Sequence, residues 1–314
     1  MLNNNQQINK KDLTKATSCK QLVAITVFTP TYNRAGLLPR LYDSLKQQTF
    51  TDFEWIIVDD GSVDNTEEVV NKQIIADEHS FPIKYIKKEN HGKHTAVNVG
   101  VKHAQGELFM IADSDDILPN DALNIVSKEY QAVKDDPSCG GVCGYMAHSN
   151  GEVIGKGCDA DFIDANSIDM RYKYHIQGDM KEVFRTDVLK EFPFPEIDNE
   201  RFCPEQLVWF RIAQKYYLRV FNKVIYTAEY LADGLTSNIV RIRMNSPVAS
   251  CMTYSEMLNY DIPFVQKIKA AINYYRFASC LKNNTDNKQL VSPCLCWAIF
   301  KPLGYLMHLK DLSI

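Results

Sequence analysis

Long apolar runs are missing from this 314-residue chain. No stretch reaches the roughly 18 uncharged apolar residues that an ordinary membrane-spanning helix needs. A surplus of positive charge is missing as well: 35 Lys and Arg against 39 Asp and Glu leave a formal net charge of −4. Nucleic acid is therefore not an expected partner, because phosphate backbones are gripped by basic surfaces. Cysteine pairing is sparse. The nine cysteines are scattered, and the only close pairs, Cys139/Cys143 and Cys294/Cys296, have no partner pair at zinc-ribbon spacing. They read as reduced thiols. Residues 1–21 form a polar, Lys-rich tail without the apolar centre of a secretory leader. The expected setting is the cytoplasm.

What is present is a patterned core. Hydrophobic residues make up 45% of the chain, enough for a large buried interior. Strands are predicted over Val23–Thr29, Glu54–Asp59, Ile83–Lys87, Glu107–Ala112 and Gly141–His148. Helices are predicted near Leu37–Gln47, Thr66–Asp77, Thr95–Ala104 and Asp121–Lys134, with Asp64 and Glu67 spaced as a capping box for the second. This alternation predicts an α/β fold with a mostly parallel sheet covered on both faces. Residues 150–205 read as loop-rich. A helix over Gln206–Tyr217, a strand over Leu218–Tyr226, and helical segments over Tyr254–Leu258, Pro263–Lys282 and Val291–Lys310 follow. The expected division is a catalytic domain over 22–245 and a helical C-terminal region over 246–314.

Ligands of such sheets sit beyond the carboxyl ends of the strands. There the sequence places Pro30-Thr31-Tyr32-Asn33-Arg34, Asp59-Asp60-Gly61-Ser62, Glu89-Asn90-His91-Gly92-Lys93-His94 and Asp113-Ser114-Asp115-Asp116. All four polar clusters should share one edge. The last carries three carboxylates in four positions, whose repulsion calls for a cation. Mg²⁺ or Mn²⁺, held by one or two carboxylates and completed by substrate phosphates, suits that chemistry. Tyr32 offers a flat face for a base. Lys93 and His94 open a helix whose free N–H groups favour anions.

Together, Thr29-Pro-Thr-Tyr-Asn-Arg34, Val58-Asp-Asp-Gly-Ser62 with Asp64 and Thr66, Ala96-x-Asn98-x-Gly100, Gly106-Glu107 and Asp113-Ser-Asp-Asp116 resemble the donor-binding half of family 2 glycosyltransferases of the GT-A fold. The resemblance covers roughly residues 22 to 230 and implies a nucleotide-sugar donor, with UDP preferred. It implies that Tyr32 stacks on the base and Asp60 holds uracil; Asp59 either stabilises the Gly61-Ser62 turn or shares that work. Thr29, Pro30, Arg34, Lys93, Asn98 and Ser114 would complete the donor site. The family's D-x-D motif maps onto Asp113 and Asp115, Asp115 as direct metal ligand and Asp113 toward the ribose or a metal-bound water. Asp116 serves the acceptor side or caps structure.

Transfer also needs a base for the acceptor hydroxyl. Many relatives carry a Glu-Asp pair at a helix start past the D-x-D, the Asp acting as base. This chain reads Glu205-Gln206 there, and Gln206 cannot take a proton. Glu205 is the first candidate and Asp179 the second. Asp233-Gly234-Leu235-Thr236 resembles a segment that closes over the donor, with Arg241 and Arg243 either gripping the diphosphate or forming a basic surface.

The implied activity is a metal-dependent inverting transfer of a hexosyl or N-acetylhexosaminyl group to a glycan or lipid-linked acceptor, as in bacterial surface polysaccharide synthesis. Two other readings compete. A non-catalytic nucleotide-sugar-binding scaffold is favoured by Gln206 alone, and a sugar nucleotidyltransferase would need a Gly-rich phosphate loop after the first strand, which is absent. Trp297, Tyr305 and the flanking lysines suit residues 291–310 to peripheral contact with the inner face of the cell membrane, and a homo-oligomer is compatible with the sequence.

Overall fold

The computed structural model describes residues 23–158, 160–229, 238–281 and 292–313. One eight-stranded sheet organises them, in the order β3-β2-β1-β4-β7-β5-β8-β6. The strands are β1 Ile25–Thr31, β2 Phe53–Asp59, β3 Ile83–Lys87, β4 Leu108–Ile111, β5 Cys139–His148, β6 Phe162–Ala165, β7 Met180–Arg185 and β8 Tyr217–Ala228. β1 to β5 and β8 run one way, and β6 and β7 run against them. The sheet is thus mostly parallel, as the sequence predicts. Every residue of β2 is buried, which is the continuous apolar pattern of a strand covered on both faces.

Helices α1 Leu38–Lys46, α2 Thr66–Val69 and α4 Ala122–Gln131 cover one face, where Leu41, Val69 and Val126 join Trp55 and Met110 in one core. The other face carries α3 Lys93–His103, α5 Ser167–Tyr172, α6 Thr186–Glu191 and α7 Glu205–Ile212, with Val97, Val188 and Val208 packed around Phe28 and Phe109. The C-terminal helices are α8 Ile239–Asn245, α9 Pro247–Met257, α10 Phe264–Ala278 and α11 Lys301–Asp311. Val248 and Met252 of α9 belong to the same core as Val208. The first amides of α9, which a helix leaves unpaired, are met by Glu200: its carboxylate accepts from Val248 N at 2.7 Å and Ala249 N at 2.9 Å.

Several boundaries differ from expectation, each for a local reason. Residues 150–205 hold β6, α5, β7 and α6; these are short, and β7 carries Lys181 and Glu182 in place of the apolar residues that mark a central strand. The second helix continues as a π-helical stretch, Val70–Ile75. No capping box forms there, because Asp64 receives Thr66 N at 3.0 Å while Glu67 pairs with Lys87 at 2.8 Å. α7 stops at Ile212, and α9 begins at Pro247, whose ring suits a first helical position. The last apolar segment divides into a 3₁₀ turn, Leu295–Phe300, and α11, with the break beside Pro302. Residues 1–21 and Asp233–Thr236 lie outside the described residues.

Candidate active site

The parallel registers of β1 with β2 and β4 bring their carboxyl ends to one edge, where a cavity of about 1190 Å³ opens. All four polar clusters contribute to it: Pro30, Tyr32 and Arg34, then Asp60, then Asn90, Gly92 and Lys93, then Asp113 to Asp116.

The clusters are tied to one another by hydrogen bonds. Asn33 adopts a left-handed φ of 52°. Its amide donates to Ser62 Oγ at 2.8 Å, and its side-chain oxygen accepts from Val63 N at 2.9 Å. Asp59 is spent within its own neighbourhood, accepting from Ser62 N at 2.7 Å and Tyr85 Oη at 2.6 Å. Asp60, almost fully buried, accepts from Lys88 Nζ at 2.5 Å, His91 N at 3.0 Å and Gly92 N at 2.7 Å. Gly92 has φ of 98°, and a Cβ there would stand 2.0 Å from Arg201 O. Only glycine lets the third cluster approach the segment before α7 so closely. Tyr32 remains 46% exposed at the cavity mouth.

Lys93 is the electrostatic hub. Its ammonium lies 2.7 Å from Asp113 Oδ1 and 3.1 Å from Glu205 Oε1. Burial opposes the charged lysine, but the two carboxylates outweigh it and raise its pKa. Burial likewise opposes the Asp113 anion, and Lys93 with Lys181 overcomes this and holds its carboxyl below the usual range. Asp115 behaves differently: burial, then the Asp113 charge, pushes its carboxyl up. Burial also drives Asp116 up to about 6, against the Glu229 N–H that Oδ1 accepts at 2.8 Å. His94 is buried and pushed down to about 4 by desolvation, so it is neutral at pH 7.

The acidic loop hangs from β8. Asp113 N–H donates to the Tyr226 hydroxyl at 2.7 Å, and that hydroxyl bonds Asp116. The Lys181 ammonium rests 3.6 Å from the centre of the Tyr226 ring and donates to Ile111 O at 2.9 Å. Arg40 donates to Asp115 O at 2.9 Å and pairs with Glu229.

The acidic loop suits a divalent ion. Asp115 makes no ion pair among the described residues, and burial with the Asp113 charge beside it outweighs the pull of Arg34 and Lys93. No group of three or more His, Cys, Asp or Glu side chains converges for a metal among the described residues. Two hard carboxylates without a third protein ligand match Mg²⁺ or Mn²⁺ better than Zn²⁺.

Of the residues singled out from sequence, Pro30, Tyr32, Arg34, Asp60, Lys93, Asp113, Ser114, Asp115, Asp179 and Glu205 line the cavity. Thr29 does not: it is buried, and its Oγ1 accepts from Trp55 Nε1 at 2.9 Å. Asn98 instead clasps the Phe194 backbone, donating to its O and accepting from its N, both at 2.9 Å. Arg241 is exposed on α8, and Arg243 lies 5.4 Å from the Tyr254 ring centre, both away from the cavity lining. Gln206 reaches the cavity wall while its Nε2 contacts Met257 Sδ at 3.7 Å.

Sequence reasoning did not single out the further cavity-lining residues Arg171, Tyr172, Gln177, Glu182, Trp209 and Phe210. Charged residues inside a buried strand, Lys181 and Glu182, were the available signal.

Comparison with known proteins agrees with this architecture. Residues 26–166 match the family described as Glycosyl transferase family 2. It is 37% identical over 106 residues to the chondroitin synthase of Pasteurella multocida, a match that takes in 34% of this chain and 11% of that one. The chain thus spans about a tenth of that relative's length. Similarity to the GalNAc(5)-diNAcBac-PP-undecaprenol beta-1,3-glucosyltransferase of Campylobacter jejuni is 25% over 299 residues, 92% of this chain and 91% of that one. Among solved structures, residues 1–349 of S. aureus TarS in complex with UDP superpose with a TM-score of 0.57 at 20% identity, covering 86% and 75% of the two chains. The fold is GT-A.

Proposed function

We propose that this protein is a metal-dependent inverting glycosyltransferase that moves a hexosyl or N-acetylhexosaminyl group from a UDP-sugar to a hydroxyl of a glycan or lipid-linked acceptor. One observation carries the reading: a single cavity is lined by an exposed aromatic, a buried aspartate and an acidic pair together with the aromatic side chains Trp209 and Phe210. The first set has the parts for a nucleoside diphosphate, and the aromatic pair for a sugar ring.

Tyr32 stacks on the base, and Asp60 receives a base N–H with the lone-pair capacity left beside Lys88 and the two amides. Asp115 and Asp113 would hold Mn²⁺ or Mg²⁺, which supplies positive charge to the departing diphosphate. Lys93 keeps Asp113 and Glu205 in fixed relation across the cavity. Trp209 and Phe210 shield the transfer from water, and holding two substrates in line provides much of the acceleration.

A lipid-linked acceptor also fits the C-terminal surface. Leu295, Ile299, Leu303, Leu306 and Leu309 are exposed beside Phe264 and Val265 of α10, and Lys301 and Lys310 accompany them. No helix among the described residues is long and apolar enough to cross a membrane. Lying in the interface of an anionic bilayer satisfies both facts.

The test is nucleotide binding and UDP release. The wild-type chain should bind UDP in the presence of Mn²⁺ and liberate UDP from UDP-glucose or UDP-N-acetylglucosamine. Asp115→Asn should abolish the metal dependence of both. Binding without release would favour a non-catalytic donor-binding protein, the reading to which Gln206 points. Neither binding nor release would end the assignment.

A further inference from the structure

The reaction above needs a proton acceptor, and most carboxylates of the cavity are already engaged. Asp60 serves Lys88 and two amides, Asp113 and Glu205 share Lys93, Asp116 holds Glu229 N–H, and Glu229 pairs with Arg40. Glu182 is different. It lines the cavity, and its carboxylate accepts from its own backbone N–H but forms no salt bridge among the described residues.

Its position follows from strand direction. β7 runs antiparallel to β4 and β5, so its first residues arrive at the edge where β1 and β4 end. Glu182 faces Cys143 of β5, and its successor Val183 faces Met110 of β4. Residues two apart on a strand share a face, so Glu182 projects on the side of Phe184, whose ring centre is 4.6 Å from that of Trp209. One turn before Trp209 on α7 is Glu205. Glu182 therefore stands on the sheet face that α7 covers, near enough to Glu205 for the two charges to interact.

Resting on the glycosyltransferase reading, we propose that Glu182 is the general base of the transfer, the role that the glutamine at position 206 cannot perform. The acceptor oxygen bonds to the anomeric carbon as the bond from that carbon to the diphosphate oxygen breaks. The electron pair leaves with the nucleotide, and the acceptor proton passes to the Glu182 carboxylate and then to solvent.

The surroundings suit the role. Arg171 of α5 donates to Ile176 O and Gly178 O, Lys181 is committed to Ile111 O and the Tyr226 ring, and Glu205 of α7 adds a like charge. Burial dominates these charges and pushes the Glu182 carboxyl up to about 7. A base is most effective with a pKa near the working pH.

The experiment compares Glu182→Gln and Glu205→Gln by UDP release from UDP-glucose and UDP-N-acetylglucosamine with Mn²⁺, using p-nitrophenyl hexosides and water as acceptors. Glu182→Gln should lower turnover about 10²- to 10⁴-fold while UDP affinity stays within about twofold. The wild-type rate should rise with pH through about 7. Glu182→Gln should lose that limb, and Glu182→Asp should keep it. Turnover of Glu182→Gln within about threefold of wild type overturns the proposal, as does a limb lost in Glu205→Gln and kept in Glu182→Gln. If Glu182→Gln does not fold, a wild-type profile flat from about pH 6 to 8 overturns it equally. An active wild type with an unaffected Glu182→Gln refutes this assignment alone, whereas a wild type that neither binds nor releases UDP refutes the enzyme reading with it.

Discussion

Replacing Lys93 by methionine removes the cation between Asp113 and Glu205 while keeping side-chain length. The side chains of Lys93 and Asp113 are 32% and 34% exposed, and that of Glu205 is 42% exposed. Breaking a fully buried pair costs about 3–5 kcal/mol, an exposed one about 0–1. With a third of the surface wet, the screened loss is about 2 kcal/mol, most of it from stranding the Asp113 anion. For a domain of this size that corresponds to a melting temperature lower by about 4–8 °C at pH 7. The sign with pH follows from Asp113, whose carboxyl the lysine holds below its ordinary range. Its contribution is present above the unfolded value near 3.9 and is lost as pH falls through the lower folded value. Differential scanning fluorimetry from pH 3 to 8 should show the gap between the two proteins wide at neutral pH and closing toward pH 3. Mn²⁺ should raise the melting temperature of Lys93→Met more than that of wild type, since the ion takes the place of the lost charge. A variant as stable as wild type at pH 7, or a gap indifferent to pH, would refute the reasoning.

Two further outcomes follow from features outside the cavity. Glu200→Ala strands two amides at the start of α9, which lowers stability by about 2–4 kcal/mol, measurable by urea denaturation with no change in the metal dependence of UDP binding. Ile299→Glu with Leu306→Glu should reduce co-sedimentation with vesicles of anionic lipid at least several-fold and leave the melting temperature unchanged, because both side chains are exposed.

The first half of the molecule was legible because its strands are local and apolar. Each of β1 to β4 is followed at once by its polar cluster, so the rule for parallel sheets places the clusters on one edge before any contact is known. Asp59 could also be assigned to its turn, since Ser62 lies three residues on. The second half was less legible. β7 slips between β4 and β5, and nothing local in Met180–Arg185 announces its neighbours. The engagement of Glu205 by Lys93 is likewise tertiary, arising from Gly92 closing onto the Arg201 backbone. Arg241 and Arg243 read either as phosphate ligands or as a basic surface, because charge does not specify which way a helix faces.

Tyr226 gives the acidic loop a late-arriving keystone. The phenol that fixes Asp113 and Asp116 belongs to β8, more than a hundred residues downstream, and past the segment that matches the family, which ends at residue 166. A fragment cut at that boundary would possess the four loops yet lack the post from which one of them is suspended. A site with its acidic loop anchored therefore requires the sheet to close around β7 and β8, so the four loops alone do not suffice before Tyr226 is in place.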